Sequence, residues 1–552
     1  MSAWFVSPSV WVWLMPALLV IPNITLAITE TYPVTVKTAN ILLPLGVWLL
    51  CTGLSRRTGA AMLCLIPVSV LCAFQIVLIF LYGESIIAID MFLNVVTTNP
   101  SEVGELLGNL GTAMATVIIL YLPPIVAAIL MIRRRRFAPG SALKQVRAAG
   151  IAAAVTGLCF TGNMRADRQL FPYNVITNIY SAAVRTDQSL HYRETSAPYR
   201  FHATTDRDST RRQVYVFVIG ETSRADNWSL FGYGRSTTPR LMKQKGLKGF
   251  GRTLSEVNTT HKSVPMLMSS LDSHSFGDSV NYVRSIFGAF NECGYHTVYI
   301  SNQRRNHSYI DYFGEEAHTA RFLTDSGSPR PDLDLVSEFS HTVRDSGHQR
   351  LFVVLHTYGS HFEYNKRYPA GMSVFRPDSK SDAGRDNRTQ LVNAYDNTIA
   401  YTDSLLTALI STLDSLDTSA ALMYVSDHGE DIYDDARGRF LHASPVPTYW
   451  QLHVPMILWM SDELRSTYPD MWSAAQKNGA REASSSRSVY HTLLDLAGVR
   501  TANFSARASL VSPEYAPAPY TYLNDYNESV PLRTCGLREP DFIQLEKHGF
   551  SY

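Results

Sequence analysis

The apolar residues of this 552-residue chain are concentrated in its first 165 positions, and this asymmetry limits the possible folds more than any other feature. Five apolar stretches there are candidate membrane spans, each of which needs about 20 residues in a helix. The stretches cover residues 10–28, 39–54, 60–82, 113–132 and 146–160, the second and fifth being the shortest. The rest of the chain is much more polar, so the sequence predicts a membrane part followed by a soluble part.

Two short basic loops give the expected orientation of these spans. Residues 55–57 (SRR) follow the second span, and residues 133–136 (RRRR) follow the fourth. With five spans both loops lie on one side, which the positive-inside rule identifies as the cytoplasm. The large soluble part is then extracytoplasmic, in the periplasm if the cell has an outer membrane. We expect a five-helix transmembrane domain over residues 1–165, a linker over 166–212 and a soluble domain over 213–552.

The connection between the third and fourth spans carries a polar pattern. Asn94, Thr98 and Glu102 are four residues apart, so in a helix near residues 90–110 they would share one face. That face is either the solvated side of an interfacial helix or a stripe that contacts a lipid headgroup at the membrane surface. The sequence leaves both interpretations open.

Charge and cysteine content narrow the choice of partners. The formal net charge is +1, so no global field indicates binding to nucleic acid. Four of the six cysteines lie in the apolar region, and only Cys293 and Cys535 lie in the soluble part. These two are expected either to form one disulfide or to remain free thiols. The absence of a CxxC pair argues against a cysteine zinc site.

The soluble part alternates short apolar runs with longer amphipathic stretches, as in residues 391–413. The runs predicted to be buried strands are residues 214–220, 297–301, 351–356, 420–426 and 454–460. This alternation is typical of a mostly parallel sheet with helices on both faces, an α/β/α architecture. In such folds the functional site lies at the carboxyl ends of the strands.

Three of the predicted strands end in polar side chains. Glu221 follows the first, His361 lies in the loop after the third, and Asp427 and His428 follow the fourth. Each alone is compatible with a turn former or a helix cap. Together they would meet at one sheet edge, where carboxylate oxygen and imidazole nitrogen are suitable ligands for zinc.

A nucleophile for such a site is available in the segment NTTHKSVP, residues 258–265. A threonine hydroxyl hardly ionises at neutral pH, and coordination to a cation is one way to activate it. Thr259 and Thr260 are adjacent, and chemistry alone does not choose between them. His442, in RFLHASP, and His361 are candidates for contacts to a phosphate group or to a second cation.

Six segments in order resemble the phosphoethanolamine transferases, inner-membrane enzymes of Gram-negative bacteria that include enzymes conferring polymyxin resistance through lipid A modification. The resemblance extends over nearly the whole chain, including the predicted membrane part and NVVTTNPSE. The segments are VIGETSRADNWSLFGYGRSTTPRL, THKSVP, HTYGSHFEYNKRYP, AYDNTIAYTD, YVSDHGE and LHASP.

This resemblance implies an alkaline-phosphatase-like, sulfatase-like soluble domain with a zinc site. The implied nucleophile is Thr260, three residues before SVP, which resolves the choice against Thr259. The positions that match the family's zinc site are Glu221, Thr260, Asp427 and His428. The positions that match contacts to the phosphoryl group, a further zinc or the ethanolamine phosphate are His361, His442, Asn94, Thr98 and Glu102. The family's active-site lysine has no clear match, and His307 lies in about that region.

The implied reaction moves phosphoethanolamine from phosphatidylethanolamine to Thr260 and then to lipid A, to a core sugar of lipopolysaccharide or to a periplasmic glucan. Many lipid A enzymes carry a disulfide beside the threonine, whereas this chain has Asn258 and Met266 there. That departure weakens the assignment to the lipid A enzymes and leaves room for relatives that act on the core or on glucans, and the sequence does not distinguish the three acceptors.

Three rival functions fit the sequence less well. A phosphoglycerol transferase of the lipoteichoic acid synthase type shares the fold and the threonine chemistry. A sulfatase would need cysteine or serine in a C/S-x-P-x-R context, which the threonine segment does not have. A membrane-anchored sensor without activity would be expected to lack some of Glu221, Thr260, Asp427 and His428.

Overall fold

A computed structural model describes residues 3–82, 88–97, 111–325, 330–345, 347–378 and 384–552. The chain divides into two compact units. Apart from a few residues, the N-terminal unit comprises the chain up to Val184 and the C-terminal unit the chain from Arg185. Each unit has a hydrophobic core of its own.

The N-terminal unit is helical. Its helices span Pro8–Leu19, Ile21–Thr29, Val34–Gly53, Thr58–Cys64, Ile66–Tyr82, Ile89–Thr97, Gly111–Arg133, Gly140–Cys159, Ala166–Gln169 and Tyr173–Leu190, the last of which reaches the boundary with the C-terminal unit. Within the described residues, three helical segments are long and apolar enough to cross a membrane: Pro8–Thr29, Val34–Gly53 and Gly111–Arg133. A fourth is added if Thr58–Cys64 and Ile66–Phe80, which are bent by 53°, are counted as one broken span.

The fifth predicted span lies within the helix Gly140–Cys159, which also carries Lys144 and Arg147 and is not among the candidate spans. It packs closely against Val34–Gly53 through small residues. A Cβ atom at Gly46 would lie 2.6 Å from the backbone nitrogen of Ala154, so the two helix backbones are nearly in contact. Contacts of this kind are common between helices in membranes.

The C-terminal unit is built on a seven-stranded sheet. We label its strands in chain order as β1 (Gln213–Gly220), β2 (Leu247–Gly249), β3 (His296–Ser301), β4 (Thr319–Phe322), β5 (Arg350–His356), β6 (Ser419–Ser426) and β7 (Met456–Met460). Their order across the sheet is β2-β7-β6-β1-β5-β3-β4. The strands β6, β1, β5, β3 and β4 are parallel, and β7 runs antiparallel to both β6 and β2.

Helices cover both faces of this sheet. The helices of the unit are Tyr192–Thr195, Thr260–Leu267, Ile286–Glu292, Tyr309–Gly314, Asp334–Asp345, Arg388–Asp414, Tyr449–Leu452, Asp462–Thr467, Pro469–Asn478, Ser485–Leu496 and Glu539–Lys547. Alternate residues of β1 enter two different cores, as strand geometry requires. Phe217 packs with the helices Thr260–Leu267 and Ser485–Leu496, and Val216 packs with Arg388–Asp414. The predicted α/β/α architecture is therefore present.

Short two-stranded ribbons complete the C-terminal unit. They pair Thr204–Thr205 with Val499–Arg500, Asp431–Ile432 with Phe440–Leu441, Thr253–Leu254 with Ala483–Ser484, and Thr521–Leu523 with Ser529–Pro531. Cys293 and Cys535 are both free thiols in the structure.

Candidate functional site

The register of the two central strands brings two carboxylates together. β1 and β6 are parallel neighbours, and Gly220 at the end of β1 is paired with Ser426 at the end of β6. The next residues, Glu221 and Asp427, therefore leave the sheet side by side. His428 follows directly, and all three side chains are buried. The carboxyl edge of the sheet thus brings together the residues that the sequence analysis selected there.

Thr260 is delivered to this edge by the first turn of the helix Thr260–Leu267. Its Oγ lies 3.2 Å from Oε1 of Glu221 and 3.1 Å from Nε2 of His428. Thr259 is the residue before the helix, and its buried hydroxyl has no hydrogen-bond partner among the residues that the structure describes. The geometry brings the Thr260 hydroxyl, and not that of Thr259, into contact with Glu221 and His428.

Four of the six separations among the donor atoms of Glu221, Thr260, Asp427 and His428 are close to the edges of a metal tetrahedron. Ligands about 2.1 Å from a tetrahedral zinc ion lie about 3.4 Å from one another. Besides the two contacts of Thr260, His428 Nε2 lies 3.2 Å from Asp427 Oδ2 and 3.7 Å from Glu221 Oε1. Glu221, Asp427 and His428 also form one of the groups able to hold a metal ion among the described residues.

The hydrogen bonds of the site leave two acceptor atoms, His428 Nε2 and Asp427 Oδ2, facing each other. His428 Nδ1 lies 2.9 Å from the carbonyl oxygen of Gly429, which can only accept, so Nδ1 carries the proton. Burial lowers the pKa of His428, so the ring is neutral and Nε2 presents a lone pair. That lone pair faces Asp427 Oδ2, a buried atom without a hydrogen-bond partner. A cation between the two atoms would remove this unfavourable arrangement.

Glu221 is fixed from several sides. Gly359 has φ of +58°, and a Cβ atom there would lie 2.6 Å from the Glu221 carbonyl oxygen, so the loop after β5 requires glycine at this point. Ser360 N–H donates to the same carbonyl at 2.9 Å. Thr222 Oγ donates to Glu221 Oε1 at 2.6 Å, and Gln303 Nε2 lies 3.4 Å from Oε2. Neighbouring residues thus hold both the backbone and the carboxylate of Glu221 in position.

Further histidines surround His428. The ring centroid of His442 lies 4.3 Å from that of His428 and 6.1 Å from that of His361. Burial, together with the neighbouring His428 and His361, lowers the pKa of His442 well below its usual value. His361 and His261 lie near enough to contribute to the lowered pKa of His428. An imidazole N–H of His442 can donate a hydrogen bond to a phosphoryl oxygen.

Asn258 occupies the position at which the family resemblance leads us to expect a cysteine, and it belongs to a network of polar side chains. The buried Asn258 donates from Nδ2 to the Ser444 carbonyl at 2.8 Å and to Gln451 Oε1 at 2.6 Å. Its Oδ1 accepts from the Tyr522 hydroxyl at 2.9 Å. The amide therefore connects the threonine segment to the loop that carries His442.

The remaining predicted positions are not placed in this site. Asn94 belongs to the helix Ile89–Thr97 of the N-terminal unit, while Thr98 and Glu102 lie outside the described residues. His307 is exposed. The sequence analysis missed Gln303 and His261. Both had a usable signal, since Gln303 follows the end of β3 and His261 follows the candidate nucleophile.

Comparison with known proteins identifies the fold family. The sulfatase family matches residues 213–499, just over half of the chain. This chain belongs to the sulfatase family. The match covers the whole seven-stranded sheet and all four residues at its carboxyl edge.

Individual relatives of this chain include named phosphoethanolamine transferases. Phosphoethanolamine transferase EptA of Escherichia coli K12 is 30% identical over 314 residues, which cover 54% of this chain and 56% of EptA. YhbX of the same strain, named only as a transferase, is 31% identical over 310 residues, covering 54% of this chain and 53% of YhbX. The chain thus matches just over half the length of these curated relatives. The resemblance to the phosphoethanolamine transferases is confirmed.

Solved structures confirm the two-part fold. The integral membrane lipooligosaccharide phosphoethanolamine transferase A of Neisseria meningitidis is 19% identical, with a TM-score of 0.71 over 92% of this chain and 98% of that protein. The periplasmic domain of EptC from Escherichia coli in complex with Zn is 23% identical, with a TM-score of 0.55 over 62% of this chain and 98% of that domain. The apolar N-terminal helices and the sulfatase-like domain therefore occur together in a known architecture.

Proposed function

We propose that this protein is a zinc-dependent phosphoethanolamine transferase that uses Thr260 as a covalent nucleophile. The proposal rests on one observation above all. Donor atoms of Glu221, Thr260, Asp427 and His428 meet at the carboxyl edge of the sheet, and four of their separations are close to those of a tetrahedral zinc site. The names of the relatives, such as EptA, supply the transferred group.

The chain's own residues suggest how the first half-reaction proceeds. A bound zinc ion would supply the positive charge that favours the ionised form of the hydroxyl. Thr260 Oγ attacks the phosphorus of phosphatidylethanolamine, forming one P–O bond while the P–O bond to diacylglycerol breaks. The diacylglycerol oxygen leaves with a proton. Thr260 begins a helix, whose N-terminal dipole also favours negative charge at this point.

In the second half-reaction an oxygen of the acceptor attacks the phosphothreonine. The bond between phosphorus and Thr260 Oγ breaks, and the threonine regains its proton. We propose that His361 and His442 donate hydrogen bonds to the phosphoryl oxygens, where negative charge grows during each attack. Gln303 and Thr222 keep the Glu221 carboxylate in place throughout.

The proposed setting is the bacterial inner membrane. We place five spans there, counting the broken helix 58–82 and the helix Gly140–Cys159, and we place the C-terminal unit in the periplasm. Asn94, Thr98 and Glu102 are proposed to contact the ethanolamine phosphate of the donor. Anchoring the enzyme at the leaflet that contains the donor lipid raises the effective concentration of that lipid.

Lipopolysaccharide is the proposed acceptor, at lipid A phosphate or a core sugar. Modification of lipid A would lead to polymyxin resistance. Two alternatives remain for the test, a periplasmic glucan as acceptor and phosphoglycerol as the transferred group. The Kdo(2)-lipid A phosphoethanolamine 7''-transferase of Salmonella typhimurium, 28% identical over 277 residues, favours a lipopolysaccharide acceptor.

The decisive experiment supplies the purified protein with headgroup-labelled phosphatidylethanolamine and, in parallel, with labelled phosphatidylglycerol. Lipid A, core oligosaccharide and glucan are offered as acceptors, with and without chelation of zinc. We expect zinc-dependent label from phosphatidylethanolamine on lipid A or core. Label only from phosphatidylglycerol, or transfer unaffected by metal removal, would contradict the proposal.

A further inference from the structure

A second cluster of carboxylate and imidazole groups lies in the C-terminal unit and takes no part in the proposed reaction. Asp226 belongs to the turn Ala225–Asn227, His453 directly follows the helix Tyr449–Leu452, and His548 directly follows the helix Glu539–Lys547. One oxygen of Asp226 lies 2.7 Å from His453 Nδ1, and the other lies 3.4 Å from His548 Nε2. Three distant parts of the sequence meet here.

The proton positions in this cluster require a positive charge. His453 Nε2 lies 2.9 Å from the Gly251 carbonyl oxygen, which can only accept, so Nε2 carries a proton. In a neutral ring Nδ1 is then a lone pair, and it faces Asp226 Oδ2. The Tyr449 hydroxyl lies 2.6 Å from Nδ1 and 3.1 Å from Asp226 Oδ1, but its single proton satisfies only one of them. Either a second proton on His453 or a metal ion must supply the charge.

The arrangement suits a metal ion. Ligand atoms of Asp226, His453 and His548 all lie within 4.8 Å of one another, and two imidazoles with one carboxylate form a common zinc donor set. The 3.4 Å separation between His548 and Asp226 already equals the edge of a zinc tetrahedron, which is about 3.4 Å. The 2.7 Å separation between His453 and Asp226 would have to open by less than about 1 Å to reach this value.

Access to the cluster agrees with this assignment. The His453 side chain is 1% exposed, whereas those of Asp226 and His548 are 18% and 28% exposed. The cluster therefore has one closed side and one side from which an ion can enter.

We propose that Asp226, His453 and His548 bind a second zinc ion, with water or the Tyr449 hydroxyl as the fourth ligand. The ion fastens the segment after the helix Glu539–Lys547 to the turn that begins four residues after Glu221. Its role is structural. It is separate from the proposed reaction, because neither Thr260 nor any of the three residues grouped with it at the carboxyl edge belongs to it.

Metal analysis of the full-length protein tests this site. The double variant E221Q/D427N disables the proposed reaction site, and H548Q or the matched control H274Q, at an exposed histidine, is added to it. After zinc loading and desalting, the double variant is expected to retain about one zinc more than the variant that also carries H548Q. H274Q should not lower the zinc content. Cobalt added to the zinc-free double variant should give a visible spectrum that H548Q removes.

Equal zinc and cobalt binding with and without H548Q would overturn the proposal, and so would a double variant that retains no zinc. In that case His453 is a protonated partner of Asp226. If E221Q/D427N does not fold, the same comparison is made in the wild type. There H548Q and D226N should each lower the zinc content by one ion per chain, and an unchanged content would overturn the proposal.

Discussion

The C-terminal unit contains two clusters of carboxylate and imidazole groups, for which we propose different roles. The first comprises Glu221, Asp427 and His428 together with Thr260, and the second comprises Asp226, His453 and His548. In the first, Thr260 presents an aliphatic hydroxyl 3.1 Å from His428, at the start of a helix. In the second, the nearest hydroxyl is the phenol of Tyr449, 2.6 Å from His453. In our proposals the first cluster is organised around a nucleophile, and the second connects segments of the chain. If both proposals hold, donor type alone does not define an active site.

The largest expected effect comes from removing the Thr260 hydroxyl, the group that distinguishes the first cluster from the second. T260A should lower transfer at least a thousandfold, on the order of the loss when a covalent nucleophile is removed. T259A is the matched control, since that hydroxyl has no hydrogen-bond partner, and it should change the rate less than about threefold. Rates of headgroup transfer measure both, and comparable losses in T259A and T260A would contradict the assignment of the nucleophile.

Removal of one carboxylate from each cluster gives the next effect. D427N should lower transfer at least a hundredfold, because it removes the buried charge opposite His428. D226N should lower transfer less than about tenfold, since a structural site outside the reaction site affects the rate only by shifting the position of the reacting groups. Transfer rates are compared at equal, saturating zinc. An equal loss in both variants would remove the distinction between the clusters.

A smaller effect is expected at the histidines that line the first cluster. H442A should lower transfer by about a hundredfold, the usual cost of one lost contact to a charge that develops in the reaction. The fold should be intact, because the His442 side chain is 18% exposed. H307A, at an exposed position, is the matched control. A loss confined to KM for the donor, with kcat unchanged, would show that His442 only binds the substrate.

The smallest expected effect concerns the hydrogen bonds of Asn258, which hold the threonine segment of the first cluster. N258A removes the hydrogen bonds that join Asn258 to the Tyr522 hydroxyl and to Oε1 of Gln451, and should lower the free energy of unfolding by about 1–3 kcal/mol. The melting temperature of the full-length protein should fall. N503A, at an exposed asparagine, should leave it unchanged. No decrease in N258A would mean that the network does not hold the threonine segment.

Much of the sheet could be predicted from the sequence, because its central strands are apolar runs buried on both faces. The predicted strands 214–220 and 420–426 agree with β1 and β6 to within one residue. The edge strands β2 and β4 were not predicted, since they are three and four residues long and only partly buried. Nor did periodicity reveal that β7 is antiparallel, because strand direction depends on the connecting segments.

The site could be predicted where its residues follow strand ends, and not where they meet through the tertiary fold. Glu221 and Asp427 come directly after apolar runs, so the rule for parallel sheets brings them together. The meeting of Asp226, His453 and His548 depends on the path of the chain over more than 300 residues, for which the sequence has no local signal. The assignment of Thr260 over Thr259 required the family resemblance before the geometry separated the two.

One measurement tests the central claim most directly, which is that Thr260 forms a covalent bond to the transferred group. The zinc-loaded protein is incubated with phosphatidylethanolamine without an acceptor and digested, and the peptide that contains residues 258–265 is sequenced by tandem mass spectrometry. We predict phosphoethanolamine on Thr260, absent from T260A and discharged when an acceptor is added. An unmodified peptide during active turnover, or a modification on Thr259, would contradict the account.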